Sequence, residues 1–180
     1  MAGNDRIDLG LKLVATAIAC FGVWKFFADR SAQAYAEAKD RSLGYISRFA
    51  DQDIVGARGV LMDFWRAHPD FVSHAMSGQI SRPAYERSVG ATFGATGASE
   101  RAETTEALFR ILVFYDEVAF CRQGGICDSE ILDAYFCRYV VRQAQVYGPF
   151  YAIMSTEIGT AGIDEQLQKF AALCQAEPSP

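Results

Sequence analysis

A chain of 180 residues with 51% apolar side chains is long enough for one domain and leaves hydrophobic sequence to spare. Its net charge of −5 is unevenly placed: residues 1–48 carry seven basic and five acidic side chains, whereas residues 49–180 carry ten and seventeen. So acidic a body argues against nucleic acid as a partner, because phosphates call for a clustered basic face.

The spare hydrophobic sequence lies at the N-terminus. From Ile7 to Ala28 the charges are Asp8, Lys12 and Lys25, all near the ends, and Leu13 to Trp24 is uncharged. Lysine side chains can reach out to the headgroups, so the usable length approaches the ~20 residues that a hydrocarbon layer of about 30 Å requires. An uncleaved single transmembrane helix is the expectation. Lys12, Trp24, Lys25, Phe26 and Phe27 are its membrane-interface residues. The acidic residues Asp5 and Asp8 speak against a cleaved signal peptide. A lipoprotein signal ending at Cys20 is disfavoured by the interrupting Lys12. Arg6 and Lys12 precede the span while Lys25, Arg30, Lys39, Arg41 and Arg48 follow it, which favours an external N-terminus and a cytoplasmic body.

Residues 29–50 are rich in alanine, lack proline and have Gly44 as the interior weak point, so a helical stalk should carry the body roughly 30 Å above the headgroups. Asp51 and Asp53 can cap a second helix near Ile54 to Ala67, ending before Pro69. A short element around Pro83 to Val89 precedes a glycine-rich stretch, residues 90–100, that reads as a flexible loop with Thr96 or Ser99 as a cap. Glu100 to Arg122 is a strong helix, with Leu108, Ile111, Leu112, Tyr115, Val118 and Ala119 on one stripe and Phe109, Val113 and Phe120 widening it. Gly124 and Gly125 end it. Asp128 or Ser129 caps the next helix, which should run to about Tyr147 with Ile131, Leu132, Tyr135, Phe136, Tyr139 and Val140 inward. Gly148-Pro149 should break the chain, leaving shorter helices at 150–157 and 163–174. The fold class is therefore all-α: a tail and transmembrane helix (1–28), a stalk (29–50), a compact helical bundle with a central hairpin (51–176) and a short tail (177–180).

Motifs that carry chemistry are few. The two histidines, His68 and His74, complete neither a di-iron nor a zinc motif. No GxSxG elbow is present, and the glycines at 90, 94 and 97 lack the lysine a phosphate loop needs. Five cysteines, Cys20, Cys121, Cys127, Cys137 and Cys174, make an odd count without framework spacing. Free thiols in a reducing compartment, packed as small apolar groups, are expected, although Cys121 and Cys127 bracket the double-glycine turn. Asp116 and Glu117 stand side by side in the most apolar helix. Arg138 and Arg142, one turn apart on the next helix, can pair with them across the hairpin as a buried ion pair. No catalytic, cofactor-binding or metal residues are expected.

Three stretches carry a family resemblance: YISRFADQDIVGARGVLMDF, LFRILVFYDEVAFCRQGGICDSEILDAYF and YVVRQAQVYGPF. Together they resemble a bacterial family of small membrane-anchored helical domains known only as a domain of unknown function. That resemblance implies one N-terminal span in the bacterial inner membrane and no catalytic residues. The combined expectation is a non-catalytic accessory or scaffold subunit, whose partners are the lipid bilayer and other membrane-protein subunits. A membrane-tethered sensor responding to a ligand or redox change at the hairpin is the second reading. An enzyme using Asp116, Glu117, Arg138 and Arg142 is the third.

Overall fold

The computed structural model describes residues 2–69 and 81–176, and the side chains from Thr16 onward except Ala17 and Ala19. His74 and the tail at 177–180 lie outside the described residues, and so does the side chain of Lys12. Among the described residues there are six helices and no strand: α1 (Ala2–Phe49), α2 (Gln52–Ala67), α3 (Arg82–Ala95), α4 (Ala98–Gln123), α5 (Ser129–Ile158) and α6 (Glu165–Ala176). The all-α class and the bundle are as expected. Among the described residues no helix is long and apolar enough to cross a membrane. The expected span, Ile7 to Ala28, falls in its first half outside the described side chains.

The hairpin of α4 and α5 is the centre of the body. Leu108, Ile111, Leu112, Tyr115, Val118 and Ala119 are all buried, as their spacing demands, and Phe114 joins them. On α5 the i, i+4 series Leu132, Phe136 and Val140 is fully buried. Helix α2 lies along α4, α6 packs on both α5 and α4, and α3 covers the C-terminal half of α5. Phe109, Val113 and Phe120 stay exposed, because they face the one side of α4 that no helix covers.

Aromatic rings divide the core into two clusters. Phe49, Phe114, Tyr115 and Phe136 meet beneath the end of α1. Phe64, Trp65, Phe93 and Phe150 meet between α2, α3 and α5. Edge-to-face and tilted arrangements predominate, as the ring quadrupole favours.

Two punctuation signals turn out to be overridden. The glycine-rich stretch expected to be a loop continues α3 to Ala95, because Tyr85, Val89 and Phe93 recur at helical spacing and bury one face. Its neighbour α4 then starts at Ala98 with Gly97 as its cap, instead of Thr96 or Ser99. Gly148-Pro149, expected to break the chain, instead lies inside α5. Proline has no N–H to offer the carbonyl four residues back, here Gln145. Arg82 Nη1 donates to that carbonyl at 3.0 Å, and the Tyr85 hydroxyl donates to the next one, Val146, at 2.7 Å. Helix α3 thus satisfies the backbone that the proline orphans. Gly148 allows the approach, since a Cβ there would stand 3.2 Å from Arg82 Nη2. The helix ends instead at Gly159, whose φ of 68° is left-handed.

The stalk also differs from expectation. Helix α1 is already docked on the body from about Ala38, where the Asp128 N–H reaches the Ala38 carbonyl. Ser42 is completely buried, and Tyr45, Ile46 and Phe49 pack on the core. The free helix between Ala28 and Ala38 is therefore only roughly 15 Å long.

Candidate functional site

The four charges expected to pair across the hairpin are not brought together. Glu117 binds Arg48 of α1, and Arg138 instead lies over the ring of Tyr139, 5.2 Å from its centroid. Arg142 is exposed on the outer face of α5. The reason is angular: α4 turns Glu117 toward α1, while Arg138 and Arg142 point away from the hairpin contact. The ion pair that does close the hairpin is Arg122 with Asp133, bidentate at 2.6 Å for both bonds. Its side chains are only 15% and 23% exposed, which makes it the best shielded ion pair among the described residues.

Asp116 points the other way, into the contact with the N-terminus of α6. Its Oδ1 is buried without a hydrogen-bond partner. Burial first, and the nearby Asp164 carboxylate second, push its carboxyl up to about 6, against the lowering effect of the Leu167 N–H. The buried phenols of Tyr85, Tyr115 and Tyr151 are likewise pushed up by burial. They act as neutral hydrogen-bond groups: Tyr151 accepts from Gln143 Nε2 at 2.8 Å and donates to the Leu108 carbonyl at 3.4 Å. Tyr147 accepts from the Trp65 indole at 2.7 Å. These are structural networks, with no nucleophile and base in contact. His68, at the end of α2, is half-buried, with Nε2 3.6 Å from Glu100.

The cysteines overturn the expectation of free thiols. Cys121 is bonded to Cys127 and Cys137 to Cys174, with Cα separations of 5.3 and 5.2 Å. Cys20 alone is free among the described cysteines. The double-glycine turn, with Gly125 at φ 64°, folds the chain back so that Cys127 meets the end of α4. Cys137 and Cys174 meet because α6 lies along α5. The first pair was signalled by the cysteines bracketing the turn; the second spans 37 residues and had no local signal. Asp133, Cys137 and Cys174 place three donor atoms within 4.8 Å of one another. Those sulfurs are bonded to each other and both Asp133 oxygens accept from Arg122, so the donors are already engaged.

The residues that build a definite surface feature are those joining α1 to the hairpin turn. Ser42 Oγ accepts from the Asp128 N–H at 2.9 Å and Arg41 donates to the Ile126 carbonyl at 3.3 Å. Arg48 and Glu117 close the same contact about two turns of α1 further along. The loop bounded by Cys121 and Cys127 is thus the seat of α1. Beside it, a shallow groove on the outer face of α4 is floored by Phe109 and Val113 and rimmed by Arg48, Glu106 and Arg110.

Beyond the seat, Trp24, Phe26 and Phe27, the residues expected at a membrane interface, are exposed, at 66, 58 and 63%. Ile18, Phe21 and Val23 are exposed too. No family model matches the chain, and neither does any curated protein or solved structure.

Proposed function

We propose that the protein is a non-catalytic scaffold tethered to a membrane by the N-terminal half of α1, which presents the helical body to other membrane-associated subunits. The observation that carries this reading is the exposure of Ile18, Phe21, Val23, Trp24, Phe26 and Phe27. At 3.6 residues per turn these side chains point in every direction around the helix. A helix that is apolar on all sides needs an apolar surrounding on all sides, which one partner groove cannot supply and lipid can. Trp24, Lys25, Phe26 and Phe27 stand at its body-proximal end, where an interfacial belt belongs. The scattering of Asp116, Glu117, Arg138 and Arg142 removes the constellation an enzyme reading relied on.

The test is fractionation and co-purification of the full chain. The unaltered protein should stay with membranes through alkaline carbonate washing and should bring other membrane proteins with it in mild detergent. Ile18→Lys together with Phe21→Lys puts two charges at mid-span, at roughly 3 kcal/mol each, and should release a folded chain into the soluble fraction. Equal membrane retention of the double-lysine chain, or elution of the unaltered one alone as a monomer, overturns the proposal.

A further inference from the structure

The pairing of the cysteines carries a conclusion about where the body works. All four described cysteines of the body are paired with none left over, and the single free one, Cys20, is on the exposed part of α1. Disulfides persist in oxidising compartments, whereas cytosolic dithiol systems keep thiols reduced. Of the two bonds the first is shut off from exchange, while the sulfurs of the second are partly buried. Cys121 and Cys127 are both 5% exposed, so an attacking thiolate has little access to them in the folded chain. Both are placed where the fold needs a constraint. The first closes the double-glycine turn that seats α1; the second fixes the short helix α6, too short to be stable alone, against α5.

We infer that the helical body faces an oxidising compartment, that its two disulfides are made there during folding, and that its docking partners belong to that side of the membrane. Combined with the tether proposed above, on which this part rests, the N-terminus of α1 lies on the reducing side. Each bond forms as two thiols lose two protons and two electrons. The electrons pass by thiol–disulfide exchange to an oxidised protein disulfide of the same compartment, which leaves as a dithiol.

This orientation is the reverse of the one the basic residues favour, and the physical weights decide between them. The bias is five lysines and arginines against two, and it acts through residues close to the span. Two of the five, Arg41 and Arg48, are tied to Glu37 and Glu117. A body of more than a hundred residues is translocated largely regardless of such charges. The two disulfides engage every cysteine of the body.

The experiment uses the full chain in the cells that make it. Cells are quenched in acid, free thiols are blocked with a small maleimide, and the chain is then reduced and tagged with a polyethylene glycol maleimide. The expected result is four added tags, with only Cys20 blocked in the first step. Protease added to spheroplasts, whose outer envelope has been opened while the inner membrane stays sealed, should then digest the body. Fewer than four tags overturns the inference, and so does a fully tagged body that resists external protease. Four tags on a protease-accessible chain that washes off the membrane leave the oxidising location standing and overturn the tether alone.

Discussion

Two aromatic-rich runs, Phe21 to Phe27 on α1 and Tyr147 to Tyr151 on α5, have similar side chains and opposite fates. On α5, Phe64 and Trp65 close over Phe150 from one side, and Arg82 and Tyr85 bind the backbone carbonyls before Pro149 from another. On α1 the corresponding rings are more than half exposed and touch mainly each other, as Phe21 with Trp24 and Phe26 with Phe27. Apolar character alone therefore does not decide burial. Position along the chain does: α5 is flanked by elements that can fold over it, whereas α1 projects past the last residue that the body can reach.

The contrast is broken most forcefully by truncating one ring in each run. Phe150→Ala should cost about 3–5 kcal/mol in urea unfolding of the body, as for other buried phenylalanines. Phe21→Ala should leave the same midpoint in place. A matching loss from both would show that α1 is covered after all. A smaller effect probes how the covered run tolerates its proline. Arg82→Met should cost about 0.5–1.5 kcal/mol, because the Gln145 carbonyl, which is open to water, loses its protein donor. In a Pro149→Ala background the restored N–H takes that carbonyl, so most of the penalty should vanish in a double-mutant cycle. An undiminished penalty there would assign Arg82 to some other contact.

An effect no larger concerns Asp116, which sits on the covered side without full compensation. Its folded pKa, about 6, is raised above the ordinary 3.8, so the folded state holds the proton more tightly than the unfolded one. The associated stability is complete below about pH 4 and is lost as pH rises through about 6. Asp116→Asn should therefore flatten the pH dependence over that window and stabilise the body at pH 7. Discounted for its half-exposed position, the gain is roughly 1 kcal/mol. A variant as pH-sensitive as the parent would place the effect elsewhere.

The parts of the fold legible in the sequence were those set by periodicity. The stripe on α4 and the Leu132, Phe136, Val140 series on α5 were readable because burial repeats with the helical turn. Punctuation misled where tertiary contacts repaired it: Pro149 reads as a break until Arg82, far away in sequence, is seen to satisfy the carbonyl it frees. The partner of Glu117 was unreadable for a similar reason, since Arg48 reaches it only because α1 is docked at Ser42. Counting cysteines over the whole chain hid the pairing. Setting apart Cys20, which lies in the apolar segment, leaves an even four on the body.

Helix α1 runs without interruption from Ala2 to Phe49, so its apolar part and its docked part are one rod, about 72 Å long at 1.5 Å per residue. No hinge separates the two, and Arg41, Ser42, Arg48 and Phe49 grip the rod at its far end. A tilt or rotation imposed at one end is therefore delivered to the other as rigid motion. The face of the body turned toward its neighbours is set by the azimuth of the shaft, in the way that a key's bit follows its bow.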